Sequence, residues 1–243
     1  MAAKHYVWKS STRRLNYATW QAMALDIKIC GLKTPDTVDA ALRGGASHIG
    51  FIFFPKSPRN IDPETAGRLR AAAQGRAKAV AVTVDADDAT LDAIVEAVRP
   101  DMLQLHGAET PERVAAIRAR HGLPVMKAFS IREAADLAAI APYKGIADRL
   151  LFDAKPPKGS ELPGGNGVAF DWSVLAALDG DVDYMLSGGL NAGNIAEALS
   201  RTNAGGIDVS SGVESAPGEK DVRLIEEFFQ AVSAAATRMP GAA

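Results

Sequence analysis

Short runs of β-branched and aromatic residues recur along the chain, and each is followed by a longer stretch with apolar residues at helical spacing. This alternation predicts parallel strands joined by right-handed helical crossovers. The predicted strands begin near eight positions, which are Asp26, His48, Ala77, Met102, Pro124, Ala147, Tyr184 and Gly206.

The stretches between the strands also carry signals for the ends of helices. Asp62-Pro63 and Thr110-Pro111 each place a capping side chain before a proline that suits the first helical position. Gly44-Gly45 and Gly122 stand where helices are expected to stop. These signals support the boundaries that the hydrophobic pattern indicates.

Eight strand–helix units predict the α/β class, as a single (β/α)8 TIM barrel of eight parallel strands over residues 26–237. An open, doubly wound sheet is the main alternative. The count of eight, and the lack of an early G-x-G-x-x-G turn, favour the closed barrel.

The two ends of the chain stand apart from this pattern. Residues 1–25 contain Lys4, Lys9, Arg13 and Arg14 but no acidic residue, and they lack strand or helix periodicity. A transit-type segment, an extra structural element and an upstream start codon are the three interpretations. We favour the last, because Met23 immediately precedes the first strand. Residues 238–243 are expected to form a tail.

Composition narrows the functional classes. The chain has 243 residues, of which 47% are hydrophobic, and a net charge of −2, so nothing argues for a nucleic-acid or membrane partner. Cys30 is the only cysteine, so an intrachain disulfide is impossible, and no spacing typical of a metal site appears. We therefore expect a cytoplasmic protein without a metal site.

One long connection follows the sixth strand. Residues 155–167 are rich in Gly and Pro, and they leave the strand at the end where barrel enzymes place their chemistry. A long segment of this kind is often a lid or a binding loop, although a solvated connector is the alternative.

Strand alternation places two reactive side chains at the mouth of the barrel. If Ile27 and Ile29 face the helices, then Cys30 points inward at the top of the first strand. The same argument directs Asp153 inward at the top of the sixth strand. For Cys30 alone, the alternative is that it serves as a small buried hydrophobic residue. A buried carboxylate such as Asp153 is harder to dismiss, because burying an unpaired charge costs free energy. Together the two suggest an acid–base pair.

Small residues end the seventh and eighth strands. Ser187-Gly188-Gly189-Leu190 and Ser210-Ser211-Gly212-Val213 would let backbone N–H groups approach an anion. Loops after strands seven and eight are the frequent phosphate site of this fold. Ordinary turn chemistry is the alternative, but the two loops together predict a phosphorylated small-molecule ligand.

Two further side chains are candidates for substrate contact. A proline-flanked loop at 54–59 follows the second strand and could aim Arg59 at a carboxylate, although a solvated surface arginine is equally compatible. His106 ends the fourth strand and should face the same mouth, where a structural hydrogen bond and a catalytic role are both open.

Several segments match one family in order and spacing. They are KICGL at 28–32, GFIFFPKSPR at 50–59, LQLHG at 103–107, LLFDA at 150–154, GGNGVAFDW at 164–172, LSGGLNAGN at 186–194 and DVSSGVESAPGEKD at 208–221. Over residues 26 to about 235 the chain resembles phosphoribosylanthranilate isomerase of tryptophan biosynthesis. One departure is Asn166, where Thr is expected, and residues 1–25 have no counterpart.

The resemblance implies an Amadori rearrangement of N-(5-phosphoribosyl)anthranilate. It assigns the general base to Cys30, which needs a lowered pKa, and the general acid to Asp153, which needs a raised one. It also places Arg59 at the anthranilate carboxylate. The predicted substrate-binding set is Arg59, His106, Gly188, Gly189, Asp208, Ser211 and Gly212, of which the resemblance implies all but His106. No organic cofactor is required by the implied reaction, and we expect a monomer or homodimer.

Other functions are compatible with part of this pattern. A pentose-phosphate epimerase would want metal-ligating His and Asp residues, and the chain has only four histidines. The related isomerase of histidine synthesis would want two aspartates in place of Cys30 and Asp153. A catalytically silent barrel that binds phosphorylated ligands is a third possibility, against which the intact acid–base pair argues.

Overall fold

Eight parallel strands close into a barrel, which confirms the predicted fold class. The computed structural model describes residues 25–155, 164–165, 167, 169–178, 180 and 182–238. The barrel strands are β1 (Asp26–Cys30), β2 (His48–Phe53), β3 (Lys78–Thr83), β4 (Met102–Leu105), β5 (Val125–Ile131), β6 (Arg149–Ala154), β7 (Tyr184–Leu186) and β8 (Gly206–Val209).

Strand pairing follows chain order, and β1 pairs with β8 to close the sheet. In the register of β1, Cys30 lies opposite Gly50 of β2 and Lys28 lies opposite Asp208 of β8. Three strands begin one or two residues later than predicted, at Lys78, Val125 and Arg149. For the strand that begins at Val125, the reason is that the predicted start, Pro124, has no N–H to donate to the neighbouring strand.

Helices surround the barrel, and their ends follow the predicted signals. Asp62 and Thr110 cap the second and fourth helices through their side chains, and Gly45 and Gly122 end the first and fourth in the left-handed conformation. The α-helices are α1 (Pro35–Gly44), α2 (Pro63–Ala72), α3 (Asp88–Val98), α4 (Pro111–His121), α5 (Ile195–Arg201) and α6 (Val222–Arg238).

The fifth and sixth units differ from the prediction of helical stretches throughout. Their crossovers contain 3₁₀-helices, at Ala134–Tyr143 and Trp172–Ala177. Pro142 lies inside the first, where it lacks the N–H that an α-helix requires, and the second has only six residues. These units therefore cover the barrel with tighter and shorter turns.

Burial separates the two faces of each strand. The barrel interior holds a small cluster of Cys30, Val80, Val82, Met102, Met126, Ala128, Leu151 and Met185. The larger cluster lies between strands and helices, and it includes Ile29, Leu150 and Phe152. The predicted alternation in the first and sixth strands is thus confirmed, and it directs Cys30 and Asp153 inward.

An unpredicted hairpin follows β8. The strands β9 (Glu214–Ala216) and β10 (Glu219–Lys220) are antiparallel and pair Glu214 with Lys220. Helix α6 then runs to Arg238, one residue beyond the expected barrel boundary. The predicted extension at residues 1–25 lies outside the described residues except for Leu25, and the predicted tail at 238–243 does so except for Arg238. Asn166 also lies outside them.

Candidate active site

A cavity opens at the carboxyl ends of the barrel strands. Its space is about 660 Å³, counted out to the open mouth. Among the predicted site residues, Cys30, Arg59, His106, Asp153, Gly188, Gly189, Asp208 and Ser211 all line it. Gly212 does not line the cavity, and it packs against the backbone of Leu190 instead.

Cys30 lies on the inner wall of this cavity at the end of β1. Its side chain is 5% exposed. A Cβ at the facing Gly50 would lie 3.0 Å from Cys30 Sγ and 3.1 Å from Lys28 Cε. Glycine at this register position therefore makes room for the thiol and for the lysine side chain together.

Lys28 and Asp208 form a buried ion pair beneath the thiol. Lys28 Nζ donates to both carboxylate oxygens of Asp208 at 3.0 Å, and neither side chain is more than 5% exposed. Burial is the largest influence and lowers the pKa of Lys28, but Asp208 and Cys30 together outweigh it, so the pKa is raised. The floor of the cavity thus holds a fixed cation beside Cys30.

The electrostatic surroundings of Cys30 oppose its ionisation overall. Burial raises the pKa of the thiol, and the Asp208 carboxylate adds to this, while Lys28 and Lys220 pull the pKa down without outweighing burial. The prediction of a lowered thiol pKa is therefore wrong for Cys30. The physical reason is that the barrel interior removes the thiolate from water, a cost that two nearby ammonium groups only partly offset.

Asp153 lies across the cavity at the end of β6. Its Oδ1 accepts a hydrogen bond from the backbone N–H of Ala154 at 2.9 Å, and its Oδ2 lies 3.3 Å from His106 Nε2. The side-chain nitrogen of Gln104 is 3.1 Å from His106 Nδ1. His106 Nε2 makes no hydrogen bond, so the imidazole lies beside the Asp153 carboxyl without donating to it.

Arg59 also lines the cavity, but it is already engaged by a partner that the sequence did not reveal. Its Nε donates to Glu214 Oε1 at 2.7 Å, and its Nη2 donates to Glu214 Oε2 at 2.8 Å and to the carbonyl of Gly165 at 3.1 Å. The residue is only 4% exposed. The alternative of a solvated surface arginine is excluded.

The loop after β7 depends on glycine. Gly188 and Gly189 have φ of 90° and 65°, and a Cβ at Gly188 would clash with the backbone nitrogen of Ala154. The side-chain amides of Asn191 and Asn194 donate to the carbonyl of Gly189 and brace the turn. This loop therefore approaches the end of β6 more closely than any residue with a side chain would allow.

The loop after β8 packs against the loop after β7. A short 3₁₀-helix at Ser211–Val213 begins here, and a Cβ at Gly212 would clash with the carbonyl oxygen of Leu190. Ser210 Oγ donates to the carbonyl of Cys30 at 3.1 Å. The two predicted anion-binding loops are thus adjacent at one side of the cavity.

Sequence reasoning missed four residues of this site. Gln104 could have been predicted from the alternation in β4, which turns its side chain inward. Gly164 belongs to the long loop after β6. Glu214 and Lys220 stand in the segment 208–221, but only a hairpin brings them back to Arg59. Among the described residues no group of metal-ligating side chains is present, and no helix is long and apolar enough to cross a membrane.

A closed (β/α)8 barrel with an inward-facing thiol, carboxyl and imidazole at the carboxyl ends of its strands defines a barrel enzyme. Comparison with known proteins makes this specific. Residues 27–231 match the family model described as N-(5′-phosphoribosyl)anthranilate isomerase, and the chain belongs to that family. It is an isomerase, and the resemblance inferred from the sequence is confirmed.

Individual relatives agree. The N-(5′-phosphoribosyl)anthranilate isomerase of Brucella canis is 79% identical over 211 residues, which are 87% of this chain and 95% of that protein. The crystal structure of the Thermotoga maritima enzyme superposes with a TM-score of 0.78 at 32% identity, covering 87% of this chain and all of the other. A further phosphoribosyl anthranilate isomerase was crystallised with reduced 1-(o-carboxyphenylamino)-1-deoxyribulose 5-phosphate. It superposes with a TM-score of 0.76 at 29% identity, covering 87% of this chain and all of the other.

Proposed function

We propose that the chain converts N-(5′-phosphoribosyl)anthranilate to 1-(2-carboxyphenylamino)-1-deoxyribulose 5-phosphate in tryptophan biosynthesis, with Cys30 as general base and Asp153 as general acid. The observation that carries this proposal is that one cavity contains both groups, at the ends of β1 and β6. Groups that transfer protons at different atoms of one substrate need such separate positions around it.

Asp153 acts first in this scheme. As a neutral acid it gives its proton to the furanose ring oxygen, the ring C–O bond breaks, and the nitrogen lone pair forms an iminium ion. The Ala154 N–H donates to Oδ1 of Asp153, and His106 Nε2 lies 3.3 Å from Oδ2. These contacts fix the carboxyl plane, so that the acidic proton is presented in one direction.

Cys30 acts second. Its thiolate takes the proton from the sugar carbon next to the iminium carbon, which gives an enolamine that tautomerises to the ketone. Although burial raises the pKa of the thiol, the iminium cation of the substrate adds a positive charge to those of Lys28 and Lys220. The thiolate is therefore favoured at the stage of the reaction at which it is needed.

Binding contacts complete the proposal. Arg59 would meet the anthranilate carboxylate with the part of its guanidinium that Glu214 leaves open. Backbone around Gly188, Gly189, Ser211 and Gly212 would cradle the phosphate at the loops after β7 and β8. Asp208 lines the cavity, and it would act indirectly by holding the Lys28 ammonium group below the substrate.

The remaining expectations stay proposals. Acid–base chemistry of this kind requires no cofactor, and we propose that the enzyme works in the cytoplasm as a monomer or homodimer. We also propose that residues 26–237 fold as the catalytic unit, with 1–25 and 238–243 outside it.

A single assay tests the activity. Loss of the fluorescence of the anthranilate adduct should follow addition of the purified chain, and the rate should scale with protein concentration. Loss of fluorescence no faster than in buffer, from a folded protein that still binds inorganic phosphate, would favour the catalytically silent barrel and overturn the proposal.

A further inference from the structure

Three buried charged side chains form a cluster at the edge of the cavity, which one of them, Arg59, lines. Arg59 donates twice to the Glu214 carboxylate, and Lys220 Nζ donates to Oε1, the oxygen that also accepts from Arg59 Nε. The side chains of these three residues are only 2–4% exposed. We call Arg59, Glu214 and Lys220 the charged triad.

Burial lowers the pKa of Lys220 and the Glu214 carboxylate opposes this shift, while the acceptors around Nζ suit an ammonium group. Besides Glu214, Nζ contacts the carbonyl of Ser210 at 3.1 Å and its hydroxyl at 3.3 Å, which matches the three N–H donors of the ammonium. Burial works against ionisation of Glu214, but hydrogen bonds from Arg59 and Lys220 bring its pKa to about 2. Glu214 is therefore a carboxylate, and the triad carries one net positive charge when Lys220 is an ammonium group.

This charge count decides what Arg59 can bind. An arginine paired with one glutamate is neutral as a unit and offers little to a second carboxylate. The third member, Lys220, satisfies Glu214 and leaves the charge of Arg59 uncompensated. In a buried site such a charge acts over several ångströms with little screening.

The hairpin that carries Glu214 and Lys220 is itself fixed to the Arg59 loop. A Cβ at Gly218, which has φ of 84°, would clash with the carbonyl oxygen of Pro58. The N–H of Gly218 donates to Glu214 Oε2 at 3.2 Å. Backbone contact and carboxylate therefore hold the guanidinium in one orientation, with Nη1 on the side not used by Glu214.

We propose that Glu214 and Lys220 are positioning residues for substrate recognition: Glu214 orients the Arg59 guanidinium, and Lys220 preserves the positive charge that selects a substrate with a carboxylate at that position. This inference rests on the proposed function, because it takes Arg59 as the contact for the anthranilate carboxylate. It adds that the selectivity for this carboxylate is set by residues that the substrate does not touch.

The experiment compares the natural substrate with its anthranilamide counterpart, in which a neutral carboxamide replaces the carboxylate. The ratio of kcat/KM for the two substrates measures carboxylate selectivity. Lys220→Met keeps the length of the side chain and removes its charge, and it should lower this ratio about tenfold, mainly through KM for the natural substrate. Lys220→Arg keeps the charge and should retain most of the selectivity.

One control variant and one further test variant make the result interpretable. Lys78→Met removes an exposed lysine at the start of β3 and should leave the ratio unchanged. Glu214→Gln, which keeps the shape of the side chain but loosens the grip on Arg59, should lower kcat/KM for the natural substrate more than for the carboxamide. It also provides a second test if Lys220→Met does not fold by circular dichroism.

The outcomes separate this inference from the proposed function. If Arg59→Ala abolishes selectivity but Lys220→Met and Glu214→Gln, both folded, lose activity on the two substrates equally, the triad is only structural and the inference is wrong. If Arg59→Ala leaves selectivity intact, the assignment of Arg59 to the carboxylate fails. A selective loss in Lys220→Met that Lys220→Arg restores supports both.

Discussion

His106 Nε2 lies 3.3 Å from Oδ2 of Asp153, while the amide of Gln104 lies 3.1 Å from the other ring nitrogen. The imidazole is therefore placed by β4 and directed at the carboxyl of β6. His106 Nε2 makes no hydrogen bond here, so the imidazole is close enough to contact the proposed acid without donating to it.

Replacing His106 with Asn should lower kcat about tenfold, because it removes an imidazole 3.3 Å from the acid, whose contact with Asp153 during the reaction would be worth about one hydrogen bond. KM should change less, since the phosphate and carboxylate contacts remain. Steady-state kinetics check this, with His121→Asn at the end of α4 as the matched control. A loss in His106→Asn as large as that in a variant lacking Asp153 would instead make His106 the proton donor.

The pH profile should report the buried thiol. Because burial raises the pKa of Cys30, the free enzyme is mostly in the thiol form at neutral pH, and kcat/KM should rise with pH on the alkaline side. Measurement from about pH 6 to about pH 10 tests this. The rising limb should disappear in Cys30→Ser, and a profile that is flat across this range in the wild type would contradict the assignment.

The loop after β7 should not tolerate a side chain at Gly188. Alanine there would adopt φ of 90° and clash with the backbone of Ala154, next to Asp153. We expect Gly188→Ala to weaken inhibition by inorganic phosphate at least tenfold and to lower Tm. Gly180→Ala, where a Cβ would meet no atom within 4 Å, is the control and should change neither quantity.

Removal of residues 1–22 should leave Tm and turnover nearly unchanged. The barrel is closed by β1 from Asp26 onward, which pairs with β2 on one side and β8 on the other. Thermal unfolding of the full and shortened chains is the measurement. A loss of several degrees on truncation would show that the segment packs against the barrel.

Local pattern was sufficient for the parts of this protein that depend on neighbours in sequence. Period-two alternation placed Cys30 and Asp153 inward, and caps such as Asp62 and Gly122 ended helices where predicted. Each of these depends on a few consecutive residues, so a single sequence contains the necessary information.

The rest depends on contacts that sequence spacing does not reveal. Glu214 binds Arg59 across 155 positions, and the hairpin that makes this possible consists of strands of three and two residues, too short for a periodic signal. The direction of the Cys30 pKa shift is similarly a property of the assembled interior. It results from burial and the Asp208 carboxylate, which raise the pKa, set against Lys28 and Lys220, which lower it.

The central claim is that Cys30 and Asp153 perform successive proton transfers in one turnover. Cys30→Ser replaces the thiolate with a far weaker base, and Asp153→Asn removes the acidic proton while keeping the shape of the side chain. Each should lower kcat by roughly 10² to 10⁴ with the fold and phosphate binding intact.

The most direct measurement is kcat for the wild type, both single variants and the double variant, using protein that circular dichroism shows to be folded. Because the two groups serve one reaction, the double variant should lose less than the product of the single losses. Turnover close to that of the wild type in either folded single variant would contradict the account and remove that residue from the mechanism.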